Sequence, residues 1–129
     1  MATIAVFNSS DDTVELLRYT FEHAGFETVA GHVPDLKRGR LDFVEFIRRH
    51  DPAAVVIDIS LPYLETWNFV RLLCDTESMR GRALVLTTTN KRALEEAVGP
   101  TETIEIVGKP YEPDAILEAV RKAIERRAA

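Results

Sequence analysis

Short apolar runs alternate along the chain with stretches whose apolar residues recur every three or four positions, the pattern of buried strands alternating with amphipathic helices. Ile4, Ala5, Val6 and Phe7 form the first run, which breaks at Asn8-Ser9-Ser10-Asp11-Asp12-Thr13, a cluster of turn and cap formers. A helix is predicted over residues 11–24, because Val14, Leu17, Phe21 and Ala24 share one face while Glu15, Arg18 and Glu22 point elsewhere. Gly25 ends it. Residues 26–30 read as a second strand, followed by a polar connection through Arg40. Leu41, Val44 and Ile47 then mark a helix over residues 41–50, stopped by Asp51-Pro52.

The third run, Ala53-Ala54-Val55-Val56-Ile57, ends on the lone acid Asp58 and continues as Ile59-Ser60-Leu61-Pro62. A helix over residues 64–78 carries Trp67, Val70 and Leu73 on one side. Residues 83–86 are the fourth strand, opening onto Thr87-Thr88-Thr89-Asn90, and a short helix runs to Val98 before Gly99-Pro100. A fifth strand over residues 103–107 leads through Gly108-Lys109-Pro110 to a last helix over residues 113–127, with Ile116, Val120 and Ala123 or Ile124 inward. Five strands alternating with five helices predict an α/β fold: a three-layer, doubly wound (βα)5 parallel sheet with helices on both faces.

In such a sheet the C-terminal strand tips share one edge, where α/β proteins place their chemistry. Those tips are Asn8 and Ser9 after strand one, Asp58 after strand three, Thr87 and Thr88 after strand four, and Lys109 after strand five. A carboxylate, a hydroxyl and an amine are thereby predicted to converge. Ser60, two residues past Asp58, is placed to shape access to it.

Composition narrows the reading. A chain of 129 residues fits one domain over 1–129, large enough to bury roughly two-thirds of the surface its unfolded form exposes. Cys74 is the only cysteine, so no intrachain disulfide is possible, in keeping with a reducing cytoplasm. No apolar run approaches the roughly 20 residues of a membrane span, and the first residues lack the basic flank of a signal peptide. Net charge is −5 with both signs interspersed, which points to neither a nucleic-acid surface nor a membrane partner. Lys37-Arg38-Gly39-Arg40 reads as a solvated loop, and Arg121, Lys122, Arg126 and Arg127 as cations opposing the dipole of the last helix. His23, His32 and His50 show no metal-ligand spacing, Cys74 has no activating neighbour, and Trp67, Phe43 and Phe46 read as packing residues.

Val56-Ile57-Asp58-Ile59-Ser60-Leu61-Pro62, the strand-ending Thr87, and Lys109-Pro110-Tyr111 together resemble the three motifs of bacterial response-regulator receiver domains, whose CheY-like fold is shared with flavodoxins. The resemblance spans nearly the whole chain. It implies that Asp58 accepts a phosphoryl group from a sensor histidine kinase or phosphotransfer protein, that Thr87 donates to a phosphoryl oxygen, and that Lys109 pairs with the carboxylate and then with its phosphorylated form. It also implies a cytoplasmic phosphorelay protein that is no enzyme beyond self-catalysed phosphoryl transfer and autodephosphorylation. An output partner or fused effector domain follows, with a homodimer through the fourth helix, fifth strand and fifth helix as a possible assembly. Whether the chain stands alone or belongs to a longer regulator is left open.

The chain departs from the family in its metal site. Receivers carry two acids after strand one that hold Mg²⁺; counting back from Gly25, those positions are Asn8 and Ser9. Asp11 and Asp12 read instead as N-cap and first-turn acids of the first helix. A site of Asp58, the Ser60 carbonyl, the Asn8 amide oxygen and water is expected to bind Mg²⁺ weakly or not at all. No organic cofactor is expected: the loop after strand one lacks the glycines of a flavin phosphate cradle. Thr88 stands where the family commonly has alanine or glycine, with an effect on access to the acceptor. Ile106 replaces an aromatic switch residue, Thr66 replaces a glycine, and an early Gly99 shortens the fourth helix. Two functions remain open, a phosphate-accepting receiver and an interaction module that works without phosphorylation.

Overall fold

The structure, a computed structural model, describes residues 2–100, 104–109 and 112–128. Its strands are β1 (Thr3–Asn8), β2 (Glu27–His32), β3 (Ala54–Asp58), β4 (Ala83–Thr88) and β5 (Ile104–Gly108). Its helices are α1 (Asp11–His23), α2 (Val33–Lys37), α3 (Phe43–His50), α4 (Tyr63–Cys74), α5 (Lys91–Val98) and α6 (Pro113–Ala128). All strand pairings are parallel, in the order β2-β1-β3-β4-β5. The order reverses between β1 and β3, the switch point at which open α/β sheets form a crevice.

Successive strand residues face opposite sides, and this alternation divides the core in two. Phe7, Val55, Ile57, Leu84 and Leu86 pack beneath α2, α3, α4 and α5 with Phe43, Phe46, Ile47, Trp67, Val70 and Leu94. Ile4, Val6, Val56 and Val85 pack on the other face against Val14, Leu17 and Phe21 of α1 and Ile116, Val120 and Ala123 of α6. Phe7 lies at the centre of the first cluster, its ring 5.5 Å from Phe43 and 5.2 Å from Phe46. Central strands buried on both faces need continuous apolar runs, which is what β1, β3 and β4 have.

Several boundaries differ from the expected ones. The stretch before Arg40 contains α2: Val33 and Leu36, three apart, are buried, and Pro34 occupies the first turn, where its missing N–H costs nothing. A helix of five residues is too short for periodicity to reveal. The helix after Asp58 stops at Cys74 rather than residue 78, and a separate 3₁₀ turn follows at Glu77–Met79. Thr76 breaks the path in extended conformation, its hydroxyl 2.7 Å from that of Ser78. Ser10, not Asp11, caps α1 by accepting from the Thr13 N–H, leaving Asp11 and Asp12 as first-turn acids. Thr103 lies outside the described residues. At the far end of α6, Arg126 pairs with Glu105 of β5 at 2.5 Å. Among the described residues, no helix is long and apolar enough to cross a membrane.

Candidate functional site

Asp58 ends β3 directly opposite Thr87 of β4 in the parallel register, so their side chains leave the same face one strand spacing apart. Both are buried, Asp58 to 7% exposure and Thr87 completely. The Thr87 hydroxyl donates to Asp58 Oδ1 at 2.7 Å. Lys109 follows β5, and its Nζ lies 2.6 Å from the same oxygen. Backbone bonds hold this geometry: the Lys109 N–H donates to the Thr88 carbonyl at 2.6 Å, and the Ile59 N–H to the Thr87 carbonyl at 2.8 Å. Of the residues that follow Lys109 in the motif, Pro110 and Tyr111 lie outside the described residues.

Asn8, at the tip of β1, is buried to 2% exposure. Its Oδ1 accepts the Ser10 N–H at 2.9 Å, which turns that oxygen toward the loop backbone. Ser9 and Ser60 are exposed. Thr88 is fully buried, and its hydroxyl accepts the Asn90 N–H at 3.2 Å at the entry to α5. Of the two first-turn acids of α1, Asp11 lies 2.7 Å from His32 Nε2, at the end of β2 on the opposite side of β1 from Asp58, and Asp12 is exposed. Of the departing positions, Thr66 is buried in α4 and Ile106 is half-buried against the first core cluster.

These donors do not fit a tight Mg²⁺ site. The ion needs near-octahedral oxygen ligands anchored by one or two carboxylates. Asp58 already holds an ammonium and a hydroxyl on Oδ1, no second acid joins it from β1, and the Asn8 oxygen is engaged by Ser10. Among the described residues, no group of three or more His, Cys, Asp or Glu side chains comes together to hold a metal. What converges instead is one carboxylate, one ammonium and one hydroxyl, a nearly neutral pocket that donates hydrogen bonds to an anion.

One contact at this edge carries no sequence signal. The Tyr63 and Thr89 hydroxyls lie 2.7 Å apart, 26 residues removed in sequence, and join the loops that follow β3 and β4. Nothing in the spacing of Tyr63, the first residue of α4, marks it as a partner of that threonine.

No family model matches the chain, and no curated protein matches it. Solved structures do. A sensor protein from Polaromonas sp. superposes with a TM-score of 0.75 at 21% identity, covering 98% of both chains. A response regulator receiver protein from Sinorhizobium medicae gives 0.70 at 19% identity over 98% of this chain and 96% of its own. The receiver domain of a signal transduction histidine kinase from Syntrophus aciditrophicus gives 0.73 at 18% identity over 98% and 92%. The chain therefore has the CheY-like receiver fold, a doubly wound (βα)5 sheet as its alternation of strands and helices predicts.

Proposed function

We propose that the chain is a receiver module of a two-component phosphorelay and that Asp58 accepts the phosphoryl group. The observation that carries this reading is the convergence of Thr87 and Lys109 on a single carboxylate oxygen, Oδ1. The other carboxylate oxygen, Oδ2, serves as the nucleophile. It attacks the phosphorus of a phosphohistidine donor, the P–N bond breaks, the imidazole leaves with the electron pair, and an acyl phosphate forms on Asp58. Phosphoryl transfer is mainly positioning and charge neutralisation around the equatorial oxygens. Lys109 supplies the charge and Thr87 the hydrogen bond once the phosphoryl group separates them from the carboxylate.

With Asn8 and Ser9 in place of acids, the incoming anion meets one carboxylate already neutralised by Lys109. Mg²⁺ is accordingly a weak contributor, held if at all by Asp58, the Ser60 carbonyl and Asn8. Ser9 and Ser60 line the approach, while Thr88, expected to affect access, is fully buried behind it with its hydroxyl held by the Asn90 N–H. The donor is a histidine kinase or phosphotransfer protein, and the output is a partner protein or effector domain. The Syntrophus neighbour, a receiver domain of a histidine kinase, supports this kind of partnership. The setting is the cytoplasm.

Incubation with acetyl phosphate tests the reading. Wild type is expected to gain one phosphoryl group and Asp58→Asn none; a folded wild type that stays unmodified at high donor and high Mg²⁺ overturns it.

A second reading is an interaction module that needs no phosphate, docked or dimerised through α5, β5 and α6. The half-buried aliphatic Ile106, in place of an aromatic switch, favours it. Loss of signalling in a folded Asp58→Asn protein argues against it.

A further inference from the structure

Two loops frame the approach to Asp58: residues 59–62 between β3 and α4, and residues 89–90 between β4 and α5. Tyr63 and Thr89 fasten their outer ends through hydroxyls 2.7 Å apart. The inner ends are fastened by the Thr87 hydroxyl on Asp58 at 2.7 Å and the Ile59 N–H on the Thr87 carbonyl at 2.8 Å. A closed ring of two chain segments results, with Asp58 at one end and the Tyr63–Thr89 contact at the other. The threonine segment has little freedom to slide, because the Thr88 hydroxyl accepts from Asn90 and the Thr88 carbonyl from Lys109. The Tyr63 ring is anchored against the first core cluster, while Thr89 is exposed.

We propose that Tyr63 gates Asp58: its bond to Thr89 holds the two loops together and selects among phosphoryl donors. The proposal rests on Asp58 being the acceptor. A phosphoryl group on Asp58 must take up the Thr87 and Lys109 contacts that now sit on the carboxylate itself. Its entry parts Thr87 from Asp58 and so loads the ring whose other fastening is Tyr63–Thr89. A small donor brings little binding energy to open that fastening. A docked protein brings the energy of the surface it buries, and remote binding energy is what drives such rearrangements. Tyr63 is therefore a specificity residue, favouring a protein phosphodonor over free acyl phosphates and phosphoramidates.

Tyr63→Phe keeps the ring and removes the hydroxyl; Thr89→Val removes the partner at an exposed position. Phosphoramidate serves as the small donor, with incorporation followed by intact mass and amide hydrogen exchange of the two loops followed in parallel. Each variant is expected to incorporate phosphoryl about five-fold faster than wild type, the size of one net hydrogen bond. The double variant should be no faster than either single one, since both remove the same bond, and loop exchange should rise in all three. Equal rates in wild type and variants, or additive gains in the double variant, overturn the gate and leave the acceptor reading standing. No incorporation in any protein, with exchange raised as expected, overturns the acceptor reading and the gate with it. Unchanged loop exchange in the folded variants overturns the gate by showing that the bond does not hold the loops.

Discussion

The ammonium of Lys109, carried just past β5, reaches beyond β4 to lie 2.6 Å from Asp58 Oδ1 at the tip of β3. Two edge-to-centre strands are thereby pinned by one ion pair, with its carboxylate almost fully buried and its lysine side chain 25% exposed. Removing one partner of a buried pair strands the other charge, which costs more than removing both.

Lys109→Met is therefore expected to destabilise the fold by about 2 kcal/mol, less than a fully buried pair costs because the lysine keeps some contact with water. Lys109→Met combined with Asp58→Asn should recover at least half of that loss. Urea denaturation of the two proteins decides; equal stabilities would contradict the claim that Lys109→Met leaves a costly unpaired charge on Asp58.

Replacing Asn8 and Ser9 by Asp together should supply the two carboxylates that the Mg²⁺ site lacks beside Asp58. The double variant is expected to bind Mg²⁺ at least about ten-fold more tightly than wild type. Calorimetric titration reads this directly, and a wild type that binds as tightly as the variant would contradict the electrostatic account of the pocket.

Gly31 of β2 owes its identity to packing rather than to backbone freedom. A Cβ there would lie 2.7 Å from Leu41 Cδ2 and 2.9 Å from Phe7 Cε1. Phe7 is fully buried and wedged between Phe43 and Phe46, so it cannot yield cheaply. Gly31→Ala should cost about 1–3 kcal/mol, the usual range for overpacking, seen as a lower denaturation midpoint with an unchanged urea slope.

Burial pushes the Cys74 thiol up to about 12. The folded chain keeps a proton that the unfolded chain releases above about pH 8.5. Its contribution to stability is intact below that pH and is lost as the pH rises toward 12, at up to about 1.4 kcal/mol per unit. Cys74→Ala should flatten the alkaline decline in stability between roughly pH 9 and 11. Iodoacetamide should modify folded wild type far more slowly than urea-unfolded protein at pH 8, since only the thiolate reacts.

Much of this fold is written in the alternation of apolar runs and helical stripes, because strands buried on both faces tolerate few polar residues. That constraint made Asp58 conspicuous at the end of Val55-Val56-Ile57, and the parallel register brings Thr87 opposite it. Short-range geometry escaped the same reading. The five residues of α2 complete too few turns to show a period, and Ser10 rather than Asp11 caps α1 because three neighbouring residues could each have done so. The Tyr63–Thr89 bond depends on where two loops end in space, and neither residue type carries that information.

Borohydride trapping tests the central claim most directly, because it reduces an acyl phosphate to the alcohol and marks the acceptor permanently. After treatment with acetyl phosphate and borohydride, peptide mass spectrometry should find homoserine at position 58 of wild type and no reduced residue in Asp58→Asn. A folded wild type with no homoserine, or with the mark on another acid, would contradict the account.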